Sequence, residues 1–240
     1  MTHTNGSFHL SPFTLHPRDR FGKDWRGRTV VVVGLAKSGL AAARLLVALG
    51  AHVRVTELSN SDAVRALAHR LEAEGVEQVE MGGHTHRLLD GAELMVVSPG
   101  VPETAEPIQW ALGLGLPVWS EIELAFRLCP SPIVAVTGTN GKSSVVTLLE
   151  RVLKTVGRPA VACGNLGTPF SSVVSSLTSE AIAVVEVSSF QLLWCDQFRP
   201  AIGVLLNLGV NHLDRHHDRE SYIAAKAKLF HRQTPQDVAV

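Results

Sequence analysis

The residues Ala135-Val-Thr-Gly-Thr-Asn-Gly-Lys-Ser-Ser144 have the types and spacing that can hold a chain of phosphates. A short apolar run, Ile133 to Val136, leads into them, and a helix-like run, Val145 to Leu153, leads out. In that layout the backbone N–H groups of a glycine turn and the positive end of a helix face an anion. Lys142 supplies a mobile positive charge for the terminal phosphates, and Ser143 a hydroxyl suited to Mg²⁺. The general spelling G-x-x-x-x-G-K-[ST] is not met. Val136 stands where its first glycine belongs, and the nearer glycine is Gly138. The run reads as a nucleotide loop in a family-specific spelling; the alternative is a glycine-rich turn that binds nothing.

A second loop, Gly34-Leu-Ala-Lys-Ser-Gly39, follows the apolar run Thr29 to Val33. It approximates G-x-G-x-x-G, with Ala36 in place of the middle glycine that lets a pyrophosphate approach the backbone. Glu57 falls where an acidic ribose ligand would, and Ser98-Pro-Gly100 adds polar groups after a later strand. The residues alone leave three readings open: an NAD site, a turn that only packs helix on strand, and a site for another diphosphate.

Further polar residues gather at strand ends. Glu186 interrupts an apolar run, Ala-Val-Val-Glu-Val, and an acid there is costly to bury unpaired, so a cation partner is expected. Ser188-Ser-Phe-Gln191 comes next, then Asn207, then His212-Leu-Asp-Arg215 within a His-rich stretch. Lys226 lies in a helical run. Taken singly, each has a plainer reading: a surface charge for Glu186, a solvated imidazole for His212, loop structure for Asp214 and Arg215, an exposed helix lysine for Lys226.

The elements that must position these groups alternate. Strands are predicted at 29–33, 52–56, 94–97 and 118–119, with helices at 40–49, 63–74, 107–114 and 121–128. After Cys129-Pro-Ser-Pro132, where two prolines break a helix, the pattern restarts. Strands are predicted at 133–136, 160–163, 181–187 and 201–206, and helices at 143–156 and 220–230. Alternation of this kind implies α/β architecture with parallel βαβ units. The expected organisation is a mobile extension over residues 1–26, a Rossmann-like domain over 27–130 and a P-loop α/β domain over 131–240. Asp237 to Val240 reads as the opening of a strand, so a longer parent protein is expected.

Composition narrows the class. The 240 residues are 45% apolar with zero formal net charge, which offers no electrostatic case for nucleic acid or acidic membranes. Three cysteines, Cys129, Cys163 and Cys195, are too few and scattered for a disulfide framework. No apolar run reaches the roughly 18 residues a membrane span needs, and the N-terminus has no apolar signal core. A cytoplasmic monomer is expected.

In combination these motifs are more specific than any one of them. Thr137-Gly-Thr-Asn-Gly-Lys-Ser143 resembles the ATP loop of the Mur ligases, ATP-dependent amide-forming enzymes of peptidoglycan precursor synthesis. Gly164-Asn-Leu-Gly167, Glu186-Val-Ser-Ser-Phe-Gln-Leu192, His212-Leu-Asp-Arg-His216 and Tyr222-x-x-Ala-Lys226 resemble the branch of that family that adds D-glutamate. Val33-Gly-Leu-Ala-Lys-Ser-Gly-Leu40 and Val97-Ser-Pro-Gly-Val-Pro102 resemble its UDP-binding first domain. The resemblance covers residues 27–240.

The resemblance implies a UDP-binding domain, most of a central ATPase domain, and no C-terminal closing domain, so the chain alone is expected to be inactive. The implied substrates are UDP-N-acetylmuramoyl-L-alanine and D-glutamate, with ATP and Mg²⁺. The acceptor carboxylate would take the γ-phosphoryl group of ATP, and the amine of D-glutamate would displace phosphate from the resulting acyl phosphate. Gly138, Thr139, Asn140, Gly141, Lys142, Ser143 and Ser144 would hold ATP. Lys142, Glu186, His212 and Lys226 would form the catalytic set. Ser143 would ligate a first Mg²⁺, and Glu186, His212 and a carbamylated Lys226 would hold a second. Lys37, Ser38, Glu57, Ser98, Pro99, Gly100, Asn165 and Ser188 would contact the UDP-substrate. Asn211 departs from the family pattern, which often has an acid there, and Lys37 stands where an apolar residue is usual. The competing classes are a sister amide ligase of the same superfamily, an NAD-dependent oxidoreductase, and a module that only binds ligand.

Overall fold

The computed structural model describes residues 19–165, 167–209 and 218–240. The first half carries β1 (Thr29–Val33), α1 (Lys37–Ala48), β2 (His52–Glu57), α2 (Asp62–Ala73), β3 (Gln78–Met81), β4 (Leu94–Val97), α3 (Glu106–Gly113), β5 (Val118–Ser120) and α4 (Glu121–Leu128). The second half carries β6 (Ile133–Thr137), α5 (Lys142–Thr155), β7 (Ala160–Gly164), α6 (Phe170–Val173), β8 (Ile182–Glu186), α7 (Ser189–Leu193), β9 (Ile202–Leu205), α8 (Arg219–Ala227) and β10 (Val238–Ala239).

The strands form two five-stranded sheets, ordered β3-β2-β1-β4-β5 and β10-β9-β6-β8-β7. Every pairing is parallel. Val30 to Val33 of β1 and Leu94 to Val97 of β4 are buried throughout, as expected for strands covered on both faces. The first order is that of a doubly wound fold, in which ligands collect at the carboxyl ends where strand order reverses. That point lies between β1 and β4, beside Gly34 and Ser98. In the second sheet β8 and β9 flank β6, so the ends of three strands converge on the loop after Thr137.

Local chemistry sets the element ends. Ser61 caps α2 by accepting from Val64 N, and Ser120 caps α4 by accepting from Glu123 N. Gly141, at φ +84°, turns the chain into α5. Gly39 could not be anything larger, because a Cβ there would lie 1.8 Å from the Gly34 carbonyl oxygen. This lets α1 press directly on the first loop.

One expectation needs correcting. The extension foreseen through residue 26 is packed from residue 19 onward, and residues 1–18 lie outside the described residues. Trp25 is wholly buried in the main core and meets Trp119 edge-on at 6.1 Å. Phe21 packs on Phe126, and the Arg20 guanidinium lies over the same ring.

α4 joins the two sheets. Residues Glu121 to Arg127 are buried without a break, and Ile122, Leu124 and Phe126 belong to one core that continues into Phe170, Val174 and Phe198. Its charged residues have partners across the junction. Glu123 accepts from Arg127 Nε at 2.7 Å and from the backbone N–H groups of Asp196 and Gln197 at 3.1 Å. Arg127 also donates to Asp196 at 3.2 Å and stacks over Trp119 at 3.9 Å. Among the described residues Glu121 accepts one bond, from the Ser171 backbone N–H, and its second oxygen has no partner.

Burial pushes the Glu121 carboxyl up to about 7. The folded chain therefore holds a proton there that the unfolded chain releases near the ordinary value. Stability falls as pH rises from about 4.5 towards 7, and the contribution is constant above that. Glu121→Gln, which cannot ionise, should gain stability relative to the unmodified chain between pH 5 and pH 8, by on the order of 3 kcal/mol at most. Urea unfolding at both pH values measures this; a stability difference that does not change with pH would contradict it.

Candidate nucleotide-binding site

Thr137 ends β6, and its hydroxyl donates to Val187 O at 2.8 Å, which fixes the point where the loop begins. Gly138 takes φ +151°, a conformation glycine tolerates and L side chains rarely adopt. Thr139 is buried; Asn140, Gly141 and Ser144 are exposed; Lys142 and Ser143 are partly buried. The start of α5 has no side-chain cap and no acid in its first turn. Its first N–H groups are therefore free of internal competition for an anion.

Two ammonium groups reach the same loop carbonyl. Lys142 Nζ donates to Gly138 O at 2.9 Å and to Thr139 O at 3.0 Å. Lys226 Nζ donates to Gly138 O at 3.0 Å and to Thr137 Oγ1 at 3.4 Å. Neither forms a salt bridge among the described residues. Lys226 is only 2% exposed, so its reading as an ordinary exposed helix lysine is replaced. Burial first, and the neighbouring Lys142 charge second, push its amine down to about 8. Two cations held together without a carboxylate create a positive focus at the mouth of the loop.

Glu186, at the end of β8, is 2% exposed. Its Oε2 accepts from Ser143 Oγ at 2.7 Å and its Oε1 from Asn165 Nδ2 at 2.8 Å. The expected cation partner is thus corrected: among the described residues its partners are a hydroxyl and a carboxamide. The backbone is equally close, since Asn165 N donates to Glu186 O at 2.9 Å. A Cβ on Gly164 would lie 2.3 Å from that carbonyl. Glycine at 164 is therefore what lets β7 deliver Asn165 to the acid.

Other foreseen residues have structural partners of their own. Ser188 caps α7 in a reciprocal box with Gln191, accepting from Gln191 N at 3.3 Å. His212 and Asn211 lie outside the described residues. Two residues that the sequence left without a role at this loop anchor it. Asn207 holds Thr139 and Asn140, and the Tyr222 hydroxyl lies 2.9 Å from Thr139 Oγ1.

At the first loop, Gly34 turns at φ +89° and donates its N–H to Thr56 O at 2.8 Å. Glu57 accepts from Leu35 N at 2.7 Å and Ser59 N at 2.9 Å, so its two oxygens brace the loop. The Ser98 hydroxyl is likewise turned inward, donating to Gly34 O at 3.0 Å. Lys37 is exposed in the first turn of α1, with Ser38 beside it, and Pro99 and Gly100 line the facing turn. The start of α1 has no side-chain cap. His84, unremarked in the sequence, lies 2.5 Å from the Thr56 hydroxyl through Nδ1.

The oxygen donors Ser143 and Glu186 suit a hard divalent cation. Among the described residues no three His, Cys, Asp or Glu side chains cluster as a self-contained metal site would need. The same residues contain no helix long and apolar enough to cross a membrane.

A doubly wound sheet followed by a second parallel sheet, with a glycine loop, a lysine pair and a buried acid at its edge, defines a two-sheet α/β protein of the phosphate-loop type. Family comparison makes this specific. Residues 28–120 match the Mur ligase MurD-like N-terminal domain and residues 136–240 match the Mur ligase middle domain. The chain belongs to the Mur ligase family. It is 43% identical over 218 residues to the UDP-N-acetylmuramoylalanine--D-glutamate ligase of Shouchella clausii, covering 91% of this chain and 48% of that one. With the ligase of the same name from Anaeromyxobacter dehalogenans it shares 47% identity over 216 residues, 90% of this chain and 46% of the relative. The chain therefore spans about half the length of these relatives. The fold is also that of the UDP-N-acetylmuramate:L-alanyl-gamma-D-glutamyl-meso-diaminopimelate ligase from Neisseria meningitides, with TM-score 0.57 and 20% identity over 89% of this chain and 70% of that chain.

The contact between Gly164 and Glu186 generates a stability test. Gly164→Ala forces a Cβ into the Glu186 carbonyl at φ +102°, whereas Gly167, at φ +61°, has open space around it. The first substitution should cost more than about 2 kcal/mol and the second about 1 kcal/mol. Denaturant unfolding of both variants measures the gap; equal losses would contradict the packing described.

Proposed function

We propose that this chain supplies the acceptor-nucleotide and ATP-binding parts of a ligase that joins D-glutamate to UDP-N-acetylmuramoyl-L-alanine. The observation that carries the reading is the pair of ammonium groups, Lys142 and Lys226, on the Gly138 carbonyl beside the buried Glu186. The names of the relatives at 43–47% identity support the substrates.

An unactivated carboxylate is a poor electrophile, and phosphoryl transfer to it is what makes amide formation feasible. ATP would supply that phosphoryl group and Mg²⁺ would neutralise its charge. The work left to the protein is positioning and electrostatics. In this reading the uncapped N–H groups opening α5 would hold the phosphates, and Lys142 would supply positive charge to the γ-phosphoryl group. Ser143 and Glu186 would offer hydroxyl and carboxylate oxygens to Mg²⁺. Asn165, bonded to Glu186, marks where the acceptor carboxylate meets the nucleotide. His212 completes the catalytic set.

Lys226 fits the carbamate proposed for it. Reaction of an amine with CO₂ needs the neutral form, and an amine at about 8 is a substantial fraction neutral near physiological pH. The product would exchange one of two crowded cations for an anion. At the first sheet, the uncapped start of α1 with Lys37 and Ser38, facing the Ser98 to Gly100 turn, would take the UDP diphosphate. There Glu57 and Ser98 act by bracing the loop.

Calorimetry tests the reading directly. The chain should bind UDP-N-acetylmuramoyl-L-alanine at least tenfold more tightly than NADH. It should also bind MgATP, and Lys142→Ala should weaken MgATP at least tenfold with UDP-substrate affinity unchanged. NADH bound as tightly as the UDP-substrate would favour the oxidoreductase reading and sink this one.

A further inference from the structure

The phosphate loop is not held by its own glycines alone. Asn207, just beyond β9, turns its side chain onto a single stretch of the loop. Its Oδ1 accepts from Thr139 N at 3.1 Å and from Asn140 N at 3.0 Å. Its Nδ2 donates to Asn140 O at 3.1 Å. The backbone joins in, since Thr139 N also lies 3.1 Å from Asn207 O. A carboxamide has one acceptor end and one donor end, and here the loop backbone engages both.

This arrangement decides which N–H groups are left for a ligand. Those of Thr139 and Asn140 are taken by Asn207, whereas those that open α5, from Lys142 onward, precede the first helical bonds. The two classes are separated by Gly141, at φ +84°. Gly138 and Gly141 lack the steric restraint that would otherwise hold the turn in one shape. Leu206 limits them on one side, with its Cβ 3.1 Å from where a Gly138 Cβ would stand. The polar restraint comes from the residue after it.

We propose that Asn207 is a positioning residue for the nucleotide. Its carboxamide templates the Thr139–Asn140 stretch so that the free N–H groups of α5 and the Lys142 ammonium are presented together. Asparagine is specifically suited. Aspartate would keep the acceptor end but lose the donor, set an oxygen against the Asn140 carbonyl, and bring negative charge towards the phosphates. Leucine would keep approximate volume and lose both ends. The inference rests on the reading of this loop as an ATP site.

The experiment measures the MgATP dissociation constant of the chain and of Asn207→Asp and Asn207→Leu. Amide hydrogen exchange at Thr139, Asn140 and the β8 residues Ala183 and Val184 is followed in parallel. Failure of the unmodified chain to bind MgATP would overturn the ATP reading, and this inference with it. If it binds, both variants should weaken MgATP tenfold or more, Asn207→Asp the more strongly. Exchange should accelerate at Thr139 and Asn140 while β8 keeps its protection. Unchanged affinity would overturn the inference and leave the ATP reading standing. So would tighter binding, which would make the carboxamide a competitor of phosphate, or a loss of affinity that occurs only together with loss of β8 protection.

Discussion

A carboxyl group buried without a cation is the constraint on which the second half of this molecule turns. Removing such a group from water costs several kcal/mol unless its oxygens find donors and its charge finds compensation. Glu186 has the donors, in Ser143 and Asn165, but no cation among the described residues. Each donor comes from a different element, so the acid ties the start of α5 to the end of β7 across β8. Gly164 is forced by the same contact, because nothing larger than hydrogen fits beside the Glu186 backbone. The arrangement leaves a local demand for positive charge that a divalent cation can meet.

The positive charge of this half gathers at the loop carbonyls instead. Lys142 and Lys226 meet at the Gly138 carbonyl, one from the first turn of α5 and one from α8. Acid and lysines do not neutralise one another, which keeps both available to a ligand that carries its own metal and its own negative charge. The first sheet carries its own glycine loop, Gly34 to Gly39, at the ends of β1 and β4. Between the two sheets packs α4, whose Glu123 and Arg127 are satisfied across the junction rather than at the surface.

Much of this was legible in the chain. Val-rich apolar runs marked β1, β4, β6 and β8, because a strand buried on both faces leaves a continuous apolar signature. The loop residues and Glu186 were visible from their types and their positions at strand ends. β3 was missed because Gln78-Val-Glu-Met81 is short and half polar, and its pairing with β2 is a tertiary fact. α7 has five residues, too few for a helical period, although its Ser188 and Gln191 spell a capping box. The burial of Trp25 was hidden because two aromatics, Phe21 and Trp25, in a polar stretch carry no sustained periodicity. Asn207 and the true partners of Glu186 were out of reach for a related reason. Their bonds cross between segments far apart in sequence, and for Asn207 they end on backbone atoms that no side-chain pattern records.

The central claim is that Glu186 holds a divalent cation together with the bound nucleotide. Water-proton relaxation enhancement of the Mn²⁺–ATP complex, titrated with the chain, measures this without any turnover. Glu186→Gln is the matching variant, since it keeps the shape and can still meet Ser143 and Asn165. The account predicts saturable enhancement with the unmodified chain and at least tenfold weaker binding with the variant. Equal enhancement at equal concentrations would contradict it.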